Sequence, residues 1–227
     1  MPIIVDFATE VRPIAVSSLI YRAGLLLQDE EHVRWTTLEL IEWINEAAGA
    51  VIRLKPSAGA RRAIFAMESG SLQKLDDTVV QLIDVVRNIG QDDVTPGRAI
   101  RKAERHLLDS ANPDWHAMKA ASTLKHFIYD DRTPAVFYVY PPSVNGAKVE
   151  IMYAVLPEEV DSPDDHLDMN IEYADSILNY VLFRCWSKDD EYANANMANA
   201  YYQAFLGSMG AGDTGEQSAT PSNKVPA

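Results

Sequence analysis

The segment WTTLELIEWINEAAGAVIRLKP, at residues 35–56, constrains the fold more than any other part of the sequence. Thr36 is placed to cap a helix, and Glu39, three residues later, can return the interaction as in a capping box. Apolar residues then recur at spacings of three and four until Pro56 ends the pattern. This apolar stripe consists of Leu40, Ile44, Ala47, Val51 and Leu54. The sequence therefore predicts an amphipathic helix that buries one face in a core.

Another helix is predicted before this segment, and strands are predicted after it. VSSLIYRAGLLLQDEE favours a helix from about Ser18. RAIFAM and KHFIYDD have the β-branched and aromatic content that is typical of strands. VFYVYPPSVNGAKVEIMYAVLP predicts a hairpin with its turn at the Pro, Asn and Gly residues. The sequence does not decide the secondary structure of two segments. TVVQLIDVV fits a strand or a short helix, and GRAIRKAERHLLD is equally ambiguous.

Two long helices are predicted in the last third of the chain. Ser162 can cap the first, with Pro163 at its first helical position. Its apolar stripe consists of Leu167, Ile171, Ala174, Leu178, Val181 and Cys185. Ser187 can cap the second, and Gly207 is placed to end it. Its first turn would hold Asp189, Asp190 and Glu191, where the helix dipole favours acids.

These elements indicate an α+β fold in which terminal helices form a helical bundle and the middle segment is β-rich. The helical parts are residues 17–56 and 163–206, and the β-rich part is residues 61–160. We expect residues 1–206 to form a single domain. Residues 207–227 are rich in Gly, Ser, Thr and Pro, which predicts a polar C-terminal arm. No apolar run approaches the roughly 18 residues of a membrane span, so we expect no membrane partner.

The chain is acidic, with 20 Lys and Arg residues against 33 Asp and Glu residues and a net charge of −13. A protein that grips nucleic acid needs cations to displace counterions from phosphates, so this balance argues against that role. Residues 158–175 contain no Lys or Arg and eight acids, which suggests a solvated loop and helix start. The eight are Glu158, Glu159, Asp161, Asp164, Asp165, Asp168, Glu172 and Asp175.

Recognisable catalytic and ligand-binding motifs are absent from the sequence. Its five histidines do not have metal-ligand spacings, and the serine-nucleophile and phosphate-loop patterns are missing. We therefore expect no catalytic, cofactor-binding or metal-ligating residues, no cofactor and no enzymatic activity. The only cysteine, Cys185, fits a small buried hydrophobe better than a reactive thiol. One hydrolase hypothesis stays open for the acid-rich cluster of Asp164, Asp165, His166 and Asp168.

Two segments are candidates for a subunit interface. If GRAIRKAERHLLD is helical, its cations share one face, which could contact nucleic acid, dock on the acidic residues of an adjacent copy, or lie exposed without a partner. The last helix has no charged residue from Tyr192 to Leu206, which is typical of an interface or of a helical core. The predicted interface residues are Arg98, Arg101, Lys102, Arg105, Met197, Tyr201, Tyr202 and Phe205.

Several runs together resemble one family of virion proteins. They are LLLQDEEHVRWTTLELIEWINEAAGAVIRLKPSA, SGSLQKLDDTVVQLIDVVRN, LDSANPDW, YDDRTPAVFYVYPP with KVEIMYAVLP, and YADSILNYVLFRCWSKDDEYANANMANAYYQAF. In order and spacing they resemble head-to-tail adaptors, or connectors, of tailed bacteriophages, chiefly of short-tailed phages. The likeness extends over most of residues 19–206, and none of its motifs is catalytic.

The resemblance implies a structural virion protein at the head–tail junction, made in the bacterial host cytoplasm. It implies a homo-oligomeric ring of about a dozen copies under the portal protein. Such a ring extends the DNA channel, lets DNA pass without specific binding and offers a platform to a tail or nozzle protein. By the same analogy, residues 207–227 would clasp the portal or a neighbouring subunit. The alternative is a soluble, non-enzymatic phage or bacterial accessory module for tail assembly or regulation.

Overall fold

A computed structural model describes residues 5–7, 11–188 and 193–218. The chain divides into two compact units. Unit 1 comprises Met1–Glu10 with Pro56–Leu156, and unit 2 comprises Val11–Lys55 with Pro157–Ala227. Among the described residues, no helix is both long enough and apolar enough to cross a membrane.

The described helices and strands follow one another in a mixed order. They are β1 (Val5–Phe7), β2 (Ile14–Ala15), α1 (Val16–Leu27), α2 (Thr37–Leu54), β3 (Ala60–Ala66), β4 (Gly70–Lys74), β5 (Val79–Ile89), β6 (Pro96–Ala99), β7 (Arg101–Lys102), α3 (Arg105–Ala111), β8 (His126–Tyr129), β9 (Val136–Ser143), β10 (Lys148–Val155), β11 (His166–Leu167), α4 (Ala174–Ser187) and α5 (Ala195–Ser218).

Unit 1 is built on two sheets. One has the strand order β1-β3-β10-β5-β6, and the other has the order β4-β9-β8-β7. Phe65 and Ile151 of the first sheet and Phe127 and Phe137 of the second belong to one hydrophobic cluster. The rings of Phe65 and Phe137 lie 6.0 Å apart between centroids. The strands predicted from RAIFAM and KHFIYDD are confirmed as β3 and β8.

The predicted hairpin of β9 and β10 is wrong, because the two strands belong to different sheets. β9 lies between β4 and β8, whereas β10 lies between β3 and β5. Each strand therefore already has a neighbour on both hydrogen-bonding edges. Both strands are apolar on most positions, which is typical of central strands that are covered on both faces. The connection at residues 144–147 carries the chain from one sheet to the other.

Unit 2 is mainly helical, and its best-predicted element is confirmed. The hydroxyl of Thr36 accepts from the Glu39 backbone N–H at 3.3 Å, and the Glu39 carboxylate accepts from the Thr36 backbone N–H at 3.1 Å. The expected apolar stripe of α2 is buried except for its last member, Leu54, which is 53% exposed. α4 packs against α1, α2 and α5.

The predicted fold class is wrong, because the helices do not form a bundle restricted to the termini. The helix α3 lies inside the β-rich middle segment, and a two-stranded sheet of β2 and β11 lies among the terminal helices. The predicted helix start at Ser162 and Pro163 is also wrong, since α4 begins at Ala174. Before it, the carboxylate of Asp165 accepts from the backbone N–H groups of Asp161 and Ser162, which forms a turn instead.

The last two helices begin and end differently from the prediction. Ser187 ends α4, where its hydroxyl donates to the carbonyl of Phe183. The side chain of Asn194, not Ser187, caps α5 by accepting from the Met197 backbone N–H at 3.1 Å. α5 continues through Gly207 to Ser218, so Gly207 does not end it. The acids Asp189, Asp190 and Glu191 lie outside the described residues.

Candidate subunit interface

The four cations predicted on one helix face lie on three different elements. Arg98 is in β6, Arg101 and Lys102 form β7, and Arg105 begins α3. The segment GRAIRKAERHLLD, which fits more than one structure by its sequence, is extended as far as Lys102, where its backbone pairs with strands, and is helical only from Arg105. The N–H of Ile100 donates to the carbonyl of Val86, and that of Arg101 donates to Lys125. All four side chains are nevertheless exposed.

Three of these cations share a structural setting in unit 1. β6 is the last strand of the five-stranded sheet, and β7 is the last strand of the four-stranded sheet. Residues 96–102 therefore run along the outer edge of one sheet and then of the other. We call the exposed side chains of Arg98, Arg101 and Lys102 on this stretch the basic edge.

A buried amide, Asn88 on β5, holds the basic edge in place. Its side-chain nitrogen donates to the carbonyl of Arg98 at 2.8 Å and to that of Leu124 at 2.9 Å. Its side-chain oxygen accepts from the Leu124 N–H at 2.7 Å. The close approach of β6 requires Gly97, because a Cβ there would lie 2.9 Å from the Asn88 carbonyl oxygen. The edge is therefore presented by a fixed backbone.

Arg105 lies in an environment that it shares with Lys102 but not with Arg98 or Arg101. It lies 3.4 Å from Asp109 on α3 and stacks over the ring of Tyr138 at 5.8 Å. These residues line a cavity of about 690 Å³ that also contains Asp130 and Arg132. The hydrogen bond from the Arg132 side chain lowers the pKa of Asp130 to about 2. Since the cavity carries charges of both signs, its cations already have acidic neighbours.

The acid-rich loop of unit 2 is held as firmly as the basic edge. Asn45 on α2 donates to the carbonyl of Val160 at 2.9 Å and accepts from its N–H at 3.0 Å. The Asp165 turn fixes the following residues. Glu158, Glu159 and Asp161 are exposed beside these anchors, and we call these three side chains the acidic segment.

The candidate residues of α5 are partly interior. Phe205 is only 1% exposed, and its ring lies 5.2 Å from that of Tyr180, so it belongs to the core of unit 2. Tyr201 is half-buried, while Met197 and Tyr202 are each 36% exposed. Grooves of about 410 and 380 Å³ both include Tyr202 in their lining. The uncharged surface of α5 therefore divides into a buried side and a smaller exposed side.

The family model for the SU10 adaptor protein matches residues 14–226. The chain belongs to the SU10 adaptor family. This match confirms the resemblance to phage head-to-tail adaptors, and it extends over both units. The family is structural, and the chain is a bacteriophage head–tail connector protein. A search of curated proteins finds no match.

In the adaptor's acid-rich cluster, Asp165 and His166 have structural partners. The Asp165 carboxylate is engaged by backbone N–H groups, and His166 pairs with Ala15 in the β2–β11 sheet. Among the described residues, no group of three or more His, Cys, Asp or Glu side chains could hold a metal ion. The prediction for Cys185 is confirmed, since the residue is buried and burial raises the pKa of its thiol to about 12.

Sequence reasoning missed the two asparagines that position the charged segments of the adaptor. Asn88 follows Arg87 in a strand that also contains Gln81 and Asp84, and Asn45 precedes Glu46 in an amphipathic helix, so neither amide differs from its polar neighbours in the sequence. A buried amide must find hydrogen-bond partners, but the sequence alone does not show which amides are buried or which segments supply their partners.

Proposed function

We propose that this adaptor assembles with copies of itself into a ring at the head–tail junction of the virion. The ring docks beneath the portal protein, extends the DNA channel and presents a platform to the tail or nozzle protein. The protein is structural and has no enzymatic role. The observation that carries this proposal is the family match over residues 14–226, which leaves little of the chain outside the adaptor family.

The surfaces of the protein support self-assembly. Exposed cations at the basic edge and exposed anions in the acidic segment belong to the same chain. Apolar side chains are also exposed on α1, where Tyr21 and Leu25 lie one helical turn apart. Polar and apolar contacts of these kinds are typical of interfaces between subunits.

The overall charge supports a channel through which DNA passes. A net charge of −13 repels phosphates. DNA can then slide through the ring without specific adhesion. A nucleic-acid-binding protein would need the opposite balance.

Electron microscopy and native mass spectrometry of the purified protein, alone and mixed with its portal, test this function. We expect closed rings, formed either spontaneously or on contact with the portal. A protein that stays monomeric when the portal is present would refute the proposal. Its absence from purified virions would favour the alternative of a soluble accessory module.

A further inference from the structure

The basic edge and the acidic segment carry opposite charges at the same spacing along the sequence. Arg98 and Arg101 are three residues apart, as are Glu158 and Asp161, so each pair spans at most about 11 Å of chain. All of these side chains are exposed. No Lys or Arg lies within residues 158–175 to neutralise the acids locally. The acidic segment therefore has no cation within its own loop, and on the basic edge Arg98 and Arg101 lie outside the cavity in which Lys102 has acidic neighbours.

We propose that the basic edge of one adaptor copy docks on the acidic segment of the next copy. This inference rests on the proposed ring, and it names the surfaces that close it. Because the two surfaces are different and belong to the same chain, their contact is heterologous. Repeating such a contact closes a ring when the rotation between copies allows it.

Both surfaces are organised before they meet. Asn88 donates one hydrogen bond to the Arg98 carbonyl of the basic edge and makes two more with Leu124, next to Lys125, whose carbonyl accepts from the Arg101 N–H. Asn45 fixes Val160, within the acid-rich loop, through two hydrogen bonds. Segments that are already ordered lose less conformational entropy on binding, so a given set of ion pairs contributes more to affinity.

A second role for the cations must be distinguished by the experiment. Charged side chains on edge strands protect a sheet against unwanted pairing with other strands. A glutamate protects an edge as an arginine does, because both place charge there. Charge reversal therefore preserves edge protection but destroys complementarity with the acidic segment.

The test uses three variants of the full-length adaptor. One reverses the edge with Arg98→Glu and Arg101→Glu, one reverses the segment with Glu158→Lys and Asp161→Lys, and one combines all four changes. Native mass spectrometry measures the ring fraction, with the portal present if the wild-type protein needs it. We expect at least a roughly tenfold loss of rings in each double variant and recovery in the combined variant.

A matched control separates this contact from general repulsion. Lys74 and Lys119 are exposed in unit 1, and reversing both to Glu changes the net charge as much as the edge reversal does. We expect the control variant to keep its rings. Circular dichroism melting of every variant confirms that each one is folded.

The outcomes distinguish this contact from ring assembly itself. A wild-type protein that forms no ring overturns the proposed function and this contact together. Rings that tolerate the edge reversal, or fail to recover in the combined variant while it stays folded, overturn the contact but not the function. Retained rings with lost binding to a double-stranded DNA probe would assign the edge to nucleic acid instead.

Discussion

Among single residues, Asn88 connects β5 to β6 and to the segment at Leu124. Replacing it with Ala removes three hydrogen bonds and leaves the Leu124 N–H without its acceptor. We expect a loss of about 2–4 kcal/mol in the free energy of unfolding, because each bond and the unpaired buried group contribute about 1 kcal/mol or more. Urea unfolding measures this loss.

The exposed Asn145→Ala variant is the control and should change stability by less than about 0.5 kcal/mol. Equal effects of the two changes would contradict a structural role for the Asn88 amide.

Asp29 gives a residue-scale prediction about pH. Its carboxylate accepts from the backbone N–H groups of Val33, Arg34 and Trp35, each at 3.0 Å. Burial raises its pKa, but these bonds outweigh burial and leave the pKa below its ordinary value. A lowered folded-state pKa means that the ionised form stabilises the fold above the unfolded value of about 3.9, and that this stabilisation is lost as the pH falls through the folded value.

The Asp29→Asn variant tests this linkage. Its amide nitrogen cannot accept, so at pH 7 we expect a destabilisation of about 1 kcal/mol, moderated by the partial exposure of the site. The difference from the wild type should stay constant from pH 7 to about 5 and shrink below about pH 4. Urea unfolding across pH 3–7 measures both. A difference that does not change with pH would show that the charge of Asp29 contributes nothing.

At the scale of elements, the sequence predicts a helix correctly where the signals for its start, its buried face and its end are all present. α2 carries a cap, a reciprocal acid, an apolar stripe and a terminal proline, and the structure has all four. TVVQLIDVV is apolar enough for a strand or a short helix, and the structure forms β5 there, with buried positions that recur every three residues, close to a helical period. The structure explains this spacing, since register shifts against β10 displace the strict alternation of a strand.

The elements that failed depend on distant parts of the chain. β9 and β10 have the composition of a hairpin, but their partners β4, β8, β3 and β5 determine which sheet each joins. The acidic turn before α4 has a plausible cap at Ser162, yet Leu167 pairs with Ile14 and is held extended. The basic edge likewise exists only because two sheets end along one stretch of chain. Tertiary pairing of this kind leaves no local pattern in a single sequence.

A substitution at Gly207 tests where α5 ends. The residue lies inside the helix, and a Cβ added to it would meet no atom within 4 Å. Gly207→Ala should therefore stabilise the protein by about 0.5–1 kcal/mol, because alanine loses less backbone entropy in a helix. Thermal unfolding measures the change. Gly146→Ala is the control, since its φ of +78° makes a side chain unfavourable, and it should destabilise. A destabilising Gly207→Ala would mean that the helix ends there in a left-handed residue.

At the scale of the whole molecule, unit 1 interrupts unit 2 in the sequence. Residues 56–156 leave unit 2 at the end of α2 and return to it just before the acidic segment. Each unit contributes one of the two charged surfaces, and each surface is anchored by an amide of its own unit. A heterologous contact between copies would therefore join unit 1 of one copy to unit 2 of the next.

Salt has two opposite effects on assembly: it screens the repulsion between negatively charged copies, and at high concentration it weakens the ion pairs between them. Copies with a charge of −13 repel one another over distances of tens of ångströms, and at 0.01 M salt the Debye length of about 30 Å leaves this repulsion unscreened. At about 0.15 M the Debye length falls to about 8 Å, which screens the long-range repulsion but spares ion pairs in contact. Near 1 M, at about 3 Å, the pairs are weakened too.

Ring formation should therefore pass through a maximum as NaCl rises from 0.01 to 1 M. Light scattering and native mass spectrometry at fixed protein concentration measure it. The Arg98→Gln and Arg101→Gln double variant keeps the acidic repulsion but loses the pairs, so its smaller ring fraction should rise with salt without the later decline. A wild-type ring fraction that only rises with salt would show that apolar contacts, such as those of α1 and α5, hold the copies together. A wild-type ring fraction that only falls as NaCl rises would show that repulsion between the negatively charged copies does not limit assembly.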